Sequence, residues 1–194
     1  MRLALACLAV TALAAEAQTW APGPEAAARL ESGRPYVEVR ADPSGATGVV
    51  RAGIDIAAPR DVVWEVVTDC ELAPRMVASL ASCRILERDP AGGWDVREHI
   101  SRPLILPPVR SVFRSEYQRP SKIVFRKAGG DLRVLEGEWR LEPLGGGTAT
   151  RVLYEQRAGF PYRTPAALVR IGMRREVPQA LLALRREALA RAGR

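Results

Sequence analysis

Between Tyr36 and Ile56, and again between Cys83 and Tyr154, the chain repeatedly alternates apolar and polar residues at every second position, and the turns within each stretch are short. Tyr36-Val37-Glu38-Val39-Arg40 precedes a turn at Asp42-Pro43-Ser44-Gly45, after which Val50, Ala52, Ile54 and Ile56 share one face. Cys83 to Glu87, Trp94 to Ile100, Val109 to Tyr117, Ile123 to Phe125, Leu132 to Leu141 and Thr148 to Tyr154 continue the series. The connectors include Asp89-Pro90-Ala91-Gly92-Gly93, Pro120, Lys127 to Asp131 and Gly145-Gly146-Gly147. Parallel neighbours would need long crossovers, so this stretch reads as an antiparallel meander of about six or seven strands.

Helical signals flank the meander. Ala58-Pro59 ends the first core strand, and Pro59 suits the first position of a helix with Val62, Val63, Val66 and Val67 on its apolar side. Asp69 to Leu80 reads as a second short helix, broken near Pro74. At the other end, Pro161 to Pro165 leads into a long helix reaching about Ala192. Its Ala166, Val169, Met173, Val177, Ala180, Leu181, Leu184 and Ala188 recur at spacings of three and four, with Pro178 expected to kink the middle. This order of elements is an α+β arrangement.

The first residues read as an address. Met1-Arg2 is a short positive start, Leu3 to Leu13 is apolar, and Ala15 and Ala17 supply small residues for cleavage after Ala17. The apolar run is well short of the roughly 20 residues that cross a bilayer, so residues 1–17 are expected to be a signal peptide and the protein exported, to the periplasm on this reading. Residues 18–46 form a lead-in with an added strand and one helical turn at most, and 47–194 the main domain. Export leaves Cys70 and Cys83 as the only cysteines, in a compartment where a bridge between them is permitted; two buried free thiols are the alternative.

Charge and composition exclude several function classes. The formal net charge is +7, and 27 of the 29 basic residues are Arg, scattered along the chain rather than gathered in a block, which suits a solvated surface. One His and three Cys provide no zinc-ligand cluster and little material for a His-dependent triad, so neither metal nor cofactor is expected. The Arg-rich terminal helix is interrupted by Glu176 and Glu187 and lacks interleaved aromatics, which argues against nucleic acid and leaves transient contact with anionic lipid headgroups as the second reading after a solvated face.

Two segments carry a family resemblance. Ile54-Asp55-Ile56-Ala57-Ala58-Pro59-Arg60-Asp61-Val62-Val63-Trp64-Glu65-Val66-Val67-Thr68-Asp69 resembles the opening strand and helix of the START-like (SRPBCC) superfamily, including its coenzyme Q-binding and polyketide cyclase/lipid-transport branches. Gly137-Glu138-Trp139-Arg140-Leu141-Glu142-Pro143, with Gly145-Gly146-Gly147-Thr148, similarly resembles the late hairpin of those proteins. The likeness runs from about Thr47 to Ala192. It implies a helix-grip fold, in which a curved antiparallel sheet grips the terminal helix around an apolar tunnel for a lipid, quinone or polyketide-like molecule. The expected function is binding or carriage of such a hydrophobic small molecule. The alternatives are a polyketide cyclase/aromatase-like enzyme and a partner-binding module with a filled core.

Candidate contacts follow from strand parity. Glu98 lies on the same strand face as Trp94, Val96 and Ile100, so it either points inward with them as a polar contact in the cavity or lies at the rim paired with Arg. His99, on the opposite face, is expected at the surface or rim. Tyr117, Phe125, Trp139, Tyr154 and Phe160, with Met173 from the helix, are expected to line the tunnel. Ser101 and Ser111 lack a GxSxG context, so no catalytic residue is assigned, although Glu98 with Tyr117 or Tyr154 is the pair a cyclase would use. Leu104-Ile105-Leu106, between prolines and outside any strand, is read as a lid or membrane contact, or else as a loop tucked under the helix.

Overall fold

The computed structural model describes residues 19–103, 107–161 and 165–193. The chain runs through α1 (Pro24–Glu31), β1 (Tyr36–Arg40), β2 (Gly48–Ile56), α2 (Arg60–Thr68), α3 (Ala73–Met76), β3 (Leu80–Arg88) and β4 (Trp94–Ser101). It continues through β5 (Val109–Gln118), β6 (Lys122–Gly130), β7 (Val134–Leu144), β8 (Ala149–Gly159) and α4 (Ala166–Arg191).

All eight strands join one antiparallel sheet in the order β1-β2-β8-β7-β6-β5-β4-β3. The number exceeds the expected six or seven because the first hairpin belongs to the same sheet as the meander. Its strand β2 pairs with β8 along its whole length, from Gly48 opposite Ala158 to Ile56 opposite Thr150. That pairing satisfies the open edges of both segments.

The local signals explain the helices and their differences from expectation. Pro59 stands just before α2 with extended backbone, and Val63, Trp64 and Val66 are buried. Only Ala73–Met76 of the expected Asp69–Leu80 helix forms, because the Asp69 carboxylate accepts the backbone N–H of Glu71 and Leu72 and turns the chain first. The lead-in is longer in helix than expected: α1 has 8 residues, and its fully buried Leu30 packs by Gly53 and Leu153 on the outer face of β2 and β8. In α4 the helix continues through Pro178, and the stripe buries Val169, Leu181, Leu184 and Ala188 together with Ala183.

The main core lies between the inner sheet face and the helices α2 and α4. Val50, Ala52, Ile54 and Ile56 of β2, Val63 and Val66 of α2, Leu141 and Val152 of β7 and β8, and Leu181, Leu184 and Ala188 of α4 form one cluster. Each buried Val, Ile or Leu among them contributes about 1.5–3 kcal/mol by leaving water. A second cluster, Val109, Phe125, Leu132 and Leu135, fills the far end of the sheet and is joined by Phe113, Trp139, Tyr154 and Phe160. Trp139 and Tyr154 pack against both clusters. A disulfide joins Cys70, just after α2, to Cys83 in β3 across a Cα separation of 5.4 Å. Among the described residues, no helix is long and apolar enough to cross a membrane.

Candidate functional site

The space between the clusters is a cavity of about 130 Å³. Its floor is the inner face of the sheet: Arg97 and His99 from β4, Phe113, Ser115 and Tyr117 from β5, Ile123 and Phe125 from β6, and Trp139 from β7. The roof is Val67 and Thr68 at the end of α2, then Ala73, Met76, Val77 and Leu80, with Ala180 and Leu184 of α4 closing it. Most of the wall is apolar, and the polar groups are gathered on β4 and β5.

Aromatic rings make up much of the floor. His99 meets Phe113 edge-on at 4.8 Å between centroids, Phe113 meets Phe125 at 5.9 Å, and Phe125 stacks with Tyr154 at 6.2 Å. Tyr154 in turn lies 4.2 Å from Trp139. The ring of Phe125 crosses β7 at Gly137, its neighbour in register, where an added Cβ would stand 2.6 Å from the ring and 2.1 Å from the Glu155 carbonyl oxygen. Only glycine permits that approach.

The inner face of β4 carries Asp95, Arg97 and His99, the reverse of the parity that apolar alternation suggests. Asp95 is 3% exposed and Arg97 7%, and they form a bidentate salt bridge through one edge of the guanidinium, Arg97 Nε donating to Asp95 Oδ1 at 3.0 Å and Nη2 to Oδ2. The Tyr117 hydroxyl accepts from Arg97 Nη2 and donates to Asp95 Oδ2, each at 2.6 Å. Arg97 also reaches the Thr68 carbonyl oxygen at the end of α2. Burial works against the charged guanidinium, but Asp95 outweighs it and holds the Arg97 pKa above its ordinary value. Burial, with Asp95 adding to it, likewise pushes the Tyr117 hydroxyl well above the usual phenol range, so it stays protonated.

His99 is therefore a wall residue rather than a surface or rim group. Burial, with the neighbouring Arg97 charge, lowers its pKa to about 4, and Asp95 opposes this only partly. Its Nε2 is buried and has no hydrogen-bond partner.

Of the two places expected for Glu98, the structure has the one paired with Arg: it lies on the outer face, away from the cavity, and is not a cavity contact. Arg84 Nη2 donates to it at 2.9 Å and Arg110 Nε at 2.5 Å, and these two cations, Arg110 foremost, hold its pKa below the carboxylate range. On the same face Trp94 lies under the Arg114 guanidinium at 3.8 Å. Tyr117, Phe125 and Trp139 line the cavity directly. Tyr154 stands behind them, its hydroxyl donating to Gln156. Phe160 packs in the second cluster and Met173 against the main core, neither in the cavity wall. Leu104, Ile105 and Leu106 lie outside the described residues.

A larger cleft of about 530 Å³ opens beside α2, but it faces solvent and mixes Glu65, Asp69 and Glu71 with Arg88, Arg119 and Arg191. Exposed pairs of this kind gain little from their attraction. No group of His, Cys, Asp and Glu among the described residues is placed to hold a metal ion.

A family model described as polyketide cyclase / dehydrase and lipid transport matches residues 56–185. No curated protein matches the chain in sequence. Among solved structures it is similar to a STAR-related lipid transfer protein from Xanthomonas axonopodis, at 18% identity and a TM-score of 0.65, over 79% of this chain and 93% of that one. A START superfamily protein from Mycobacterium smegmatis aligns at 17% identity and TM-score 0.63, over 73% and 97%. The Zhui aromatase/cyclase from Streptomyces sp. R1128 aligns at 19% and TM-score 0.58, over 75% and 93%. At these identities the likeness is one of fold.

Proposed function

We propose, from the premise that the chain belongs to the polyketide cyclase / dehydrase and lipid transport family of START-like proteins, that it is an exported carrier for a hydrophobic small molecule such as a lipid, quinone or isoprenoid. The observation that carries this reading is the apolar, aromatic-floored cavity between the sheet and α4. Tyr117, Phe125 and Trp139 offer large, weakly directional contact area, which suits a ring or chain better than a polar metabolite.

Carriage without chemistry is favoured by the state of the polar groups. Asp95, Arg97 and Tyr117 are bonded to one another, and the carboxylate a cyclase was expected to use, Glu98, is on the outer face. The volume sets a limit on the guest. Apolar cavities of about 150 Å³ take up benzene, so about 130 Å³ accepts one ring or a short chain segment. A longer guest enters by outward movement of the roof, whose α3 is a single turn of 4 residues with no buried side chain.

Export is supported by the leader-like residues 1–17 and by the disulfide, which suits an oxidising compartment. Transient contact with an anionic membrane is supported by the first half of α4, where Leu168 is 39% exposed and Ile171 50%, close in sequence to Arg170, Arg174 and Arg175.

Native mass spectrometry with lipid extraction tests carriage. The expected result is an apolar compound that co-purifies and leaves on denaturation. An empty protein whose melting point no apolar compound raises overturns the proposal, and the filled-core module takes its place.

A further inference from the structure

The polar side of the cavity contains one group that the protein leaves unused. Arg97 turns its donors to Asp95, Tyr117 and the Thr68 carbonyl, and the Tyr117 hydroxyl is engaged both as donor and as acceptor. His99 Nε2 is different: it is buried, on a side chain that lines the cavity, and it meets no partner. The other buried side-chain atom of this kind among the described residues, Glu138 Oε1, has the Arg140 Nε at 3.1 Å, so His99 alone remains unpaired. A buried polar atom left unsatisfied is destabilising.

Charge defines what can meet it. Asp95 and Arg97 cancel each other, and Tyr117 is neutral, so the polar side presents no net charge. A charged head group brought here would lose its hydration with no free counter-ion to replace it. A neutral hydroxyl loses little and can pair with an imidazole nitrogen.

We infer that His99 is the cavity's recognition group, and that the guest is a neutral amphiphile presenting a hydroxyl on an apolar ring or short chain to His99 Nε2 while its carbon body lies against Phe113 and Phe125. This rests on the carrier reading and adds the class of guest. The lowered pKa of His99 is consistent with it, because the imidazole stays neutral, and able to accept, at neutral pH.

The test uses three ring-sized probes, phenol, benzene and benzoate, titrated by calorimetry into the protein and its His99→Phe and His99→Gln variants at neutral pH. In His99→Phe, phenol should lose about tenfold in affinity relative to benzene, as its hydroxyl has no partner, and His99→Gln should recover part of the loss. The chain has a single His, so its imidazole ¹⁵N signals need no assignment; phenol should move Nε2 toward the shift of a hydrogen-bonded nitrogen, and this readout needs no variant to fold. An unchanged phenol-to-benzene ratio in His99→Phe, or an Nε2 signal indifferent to phenol, overturns the inference. Benzoate binding more tightly than phenol overturns the neutral class. Failure of all three probes to bind any variant sinks the carrier reading instead, which keeps the two failures distinct.

Discussion

Lowering the pH should destabilise this protein well before its carboxylates titrate, and a single side chain should account for it. His99 has an ordinary pKa of 6.5 and about 4 in the fold, depressed first by burial and then by the Arg97 charge. The sign follows from proton uptake. Below pH 6.5 the unfolded chain protonates its histidine while the native protein does not, so stability falls as the pH drops and the loss levels off near pH 4. Linkage between those two values gives about 2 kcal/mol lost by pH 5 and about 3 kcal/mol in full. For a chain of this size 2 kcal/mol lowers Tm by roughly 4–8 °C. Carboxylates held low, such as Glu98 beside Arg110 and Arg84, contribute stability that begins to be lost only as the pH falls through the ordinary carboxylate value, below this window. Thermal melts followed by tryptophan fluorescence between pH 7 and pH 5 should therefore show the fall in the native sequence and a nearly flat profile in His99→Phe. A native profile as flat as the variant's, or a variant as acid-sensitive as the native protein, would refute the burial argument.

Arg97→Met should cost about 3–5 kcal/mol in urea unfolding, because it strands the buried Asp95 carboxylate, and Asp95→Leu combined with it should recover much of the loss. Gly137→Ala should cost about 1–3 kcal/mol and displace the Phe125 ring, visible as altered near-ultraviolet circular dichroism. Reducing the Cys70–Cys83 bridge, or replacing both residues by Ser, should remove about 3 kcal/mol, and denatured, unreduced mature protein should titrate with no free thiol. Leu168→Ser with Ile171→Ser should weaken binding to anionic vesicles with Tm unchanged, since both side chains are exposed.

Much of the fold is legible in local pattern. The face Val50, Ala52, Ile54 and Ile56 is in the core, and the spacing of Leu181, Leu184 and Ala188 marks the buried side of α4. The pairing of β2 with β8 has no local signal, since it joins segments about 100 residues apart by filling two open edges. The site was read less well, and β4 shows why. Trp94, Val96 and Ile100 suggested an inward apolar face, yet Trp94 is satisfied outside by Arg114, and the inward side chains are charged ones that neutralise each other. The sequence does carry a usable clue: Asp95 and Arg97, two apart, lie on one strand face with opposite charge and His99 follows in step. An apolar count weighs each residue alone and misses a mutually satisfied pair. Tyr117, Phe125 and Trp139 line the cavity because large aromatics on a core-facing strand have few other places to go.

The bridge between Cys70 and Cys83 has a geometric consequence for whatever enters. Ala73, Met76, Val77 and Leu80, which lie over the cavity, all fall between the two cysteines. They are thus part of a covalent ring anchored to the sheet at β3 and to the end of α2. The ring is also latched to α4, where Glu176 accepts the Ser79 N–H and Glu187 pairs with Arg75. A segment held at both ends cannot peel away from one end; any opening over the cavity has to move it as a piece and break both acidic contacts.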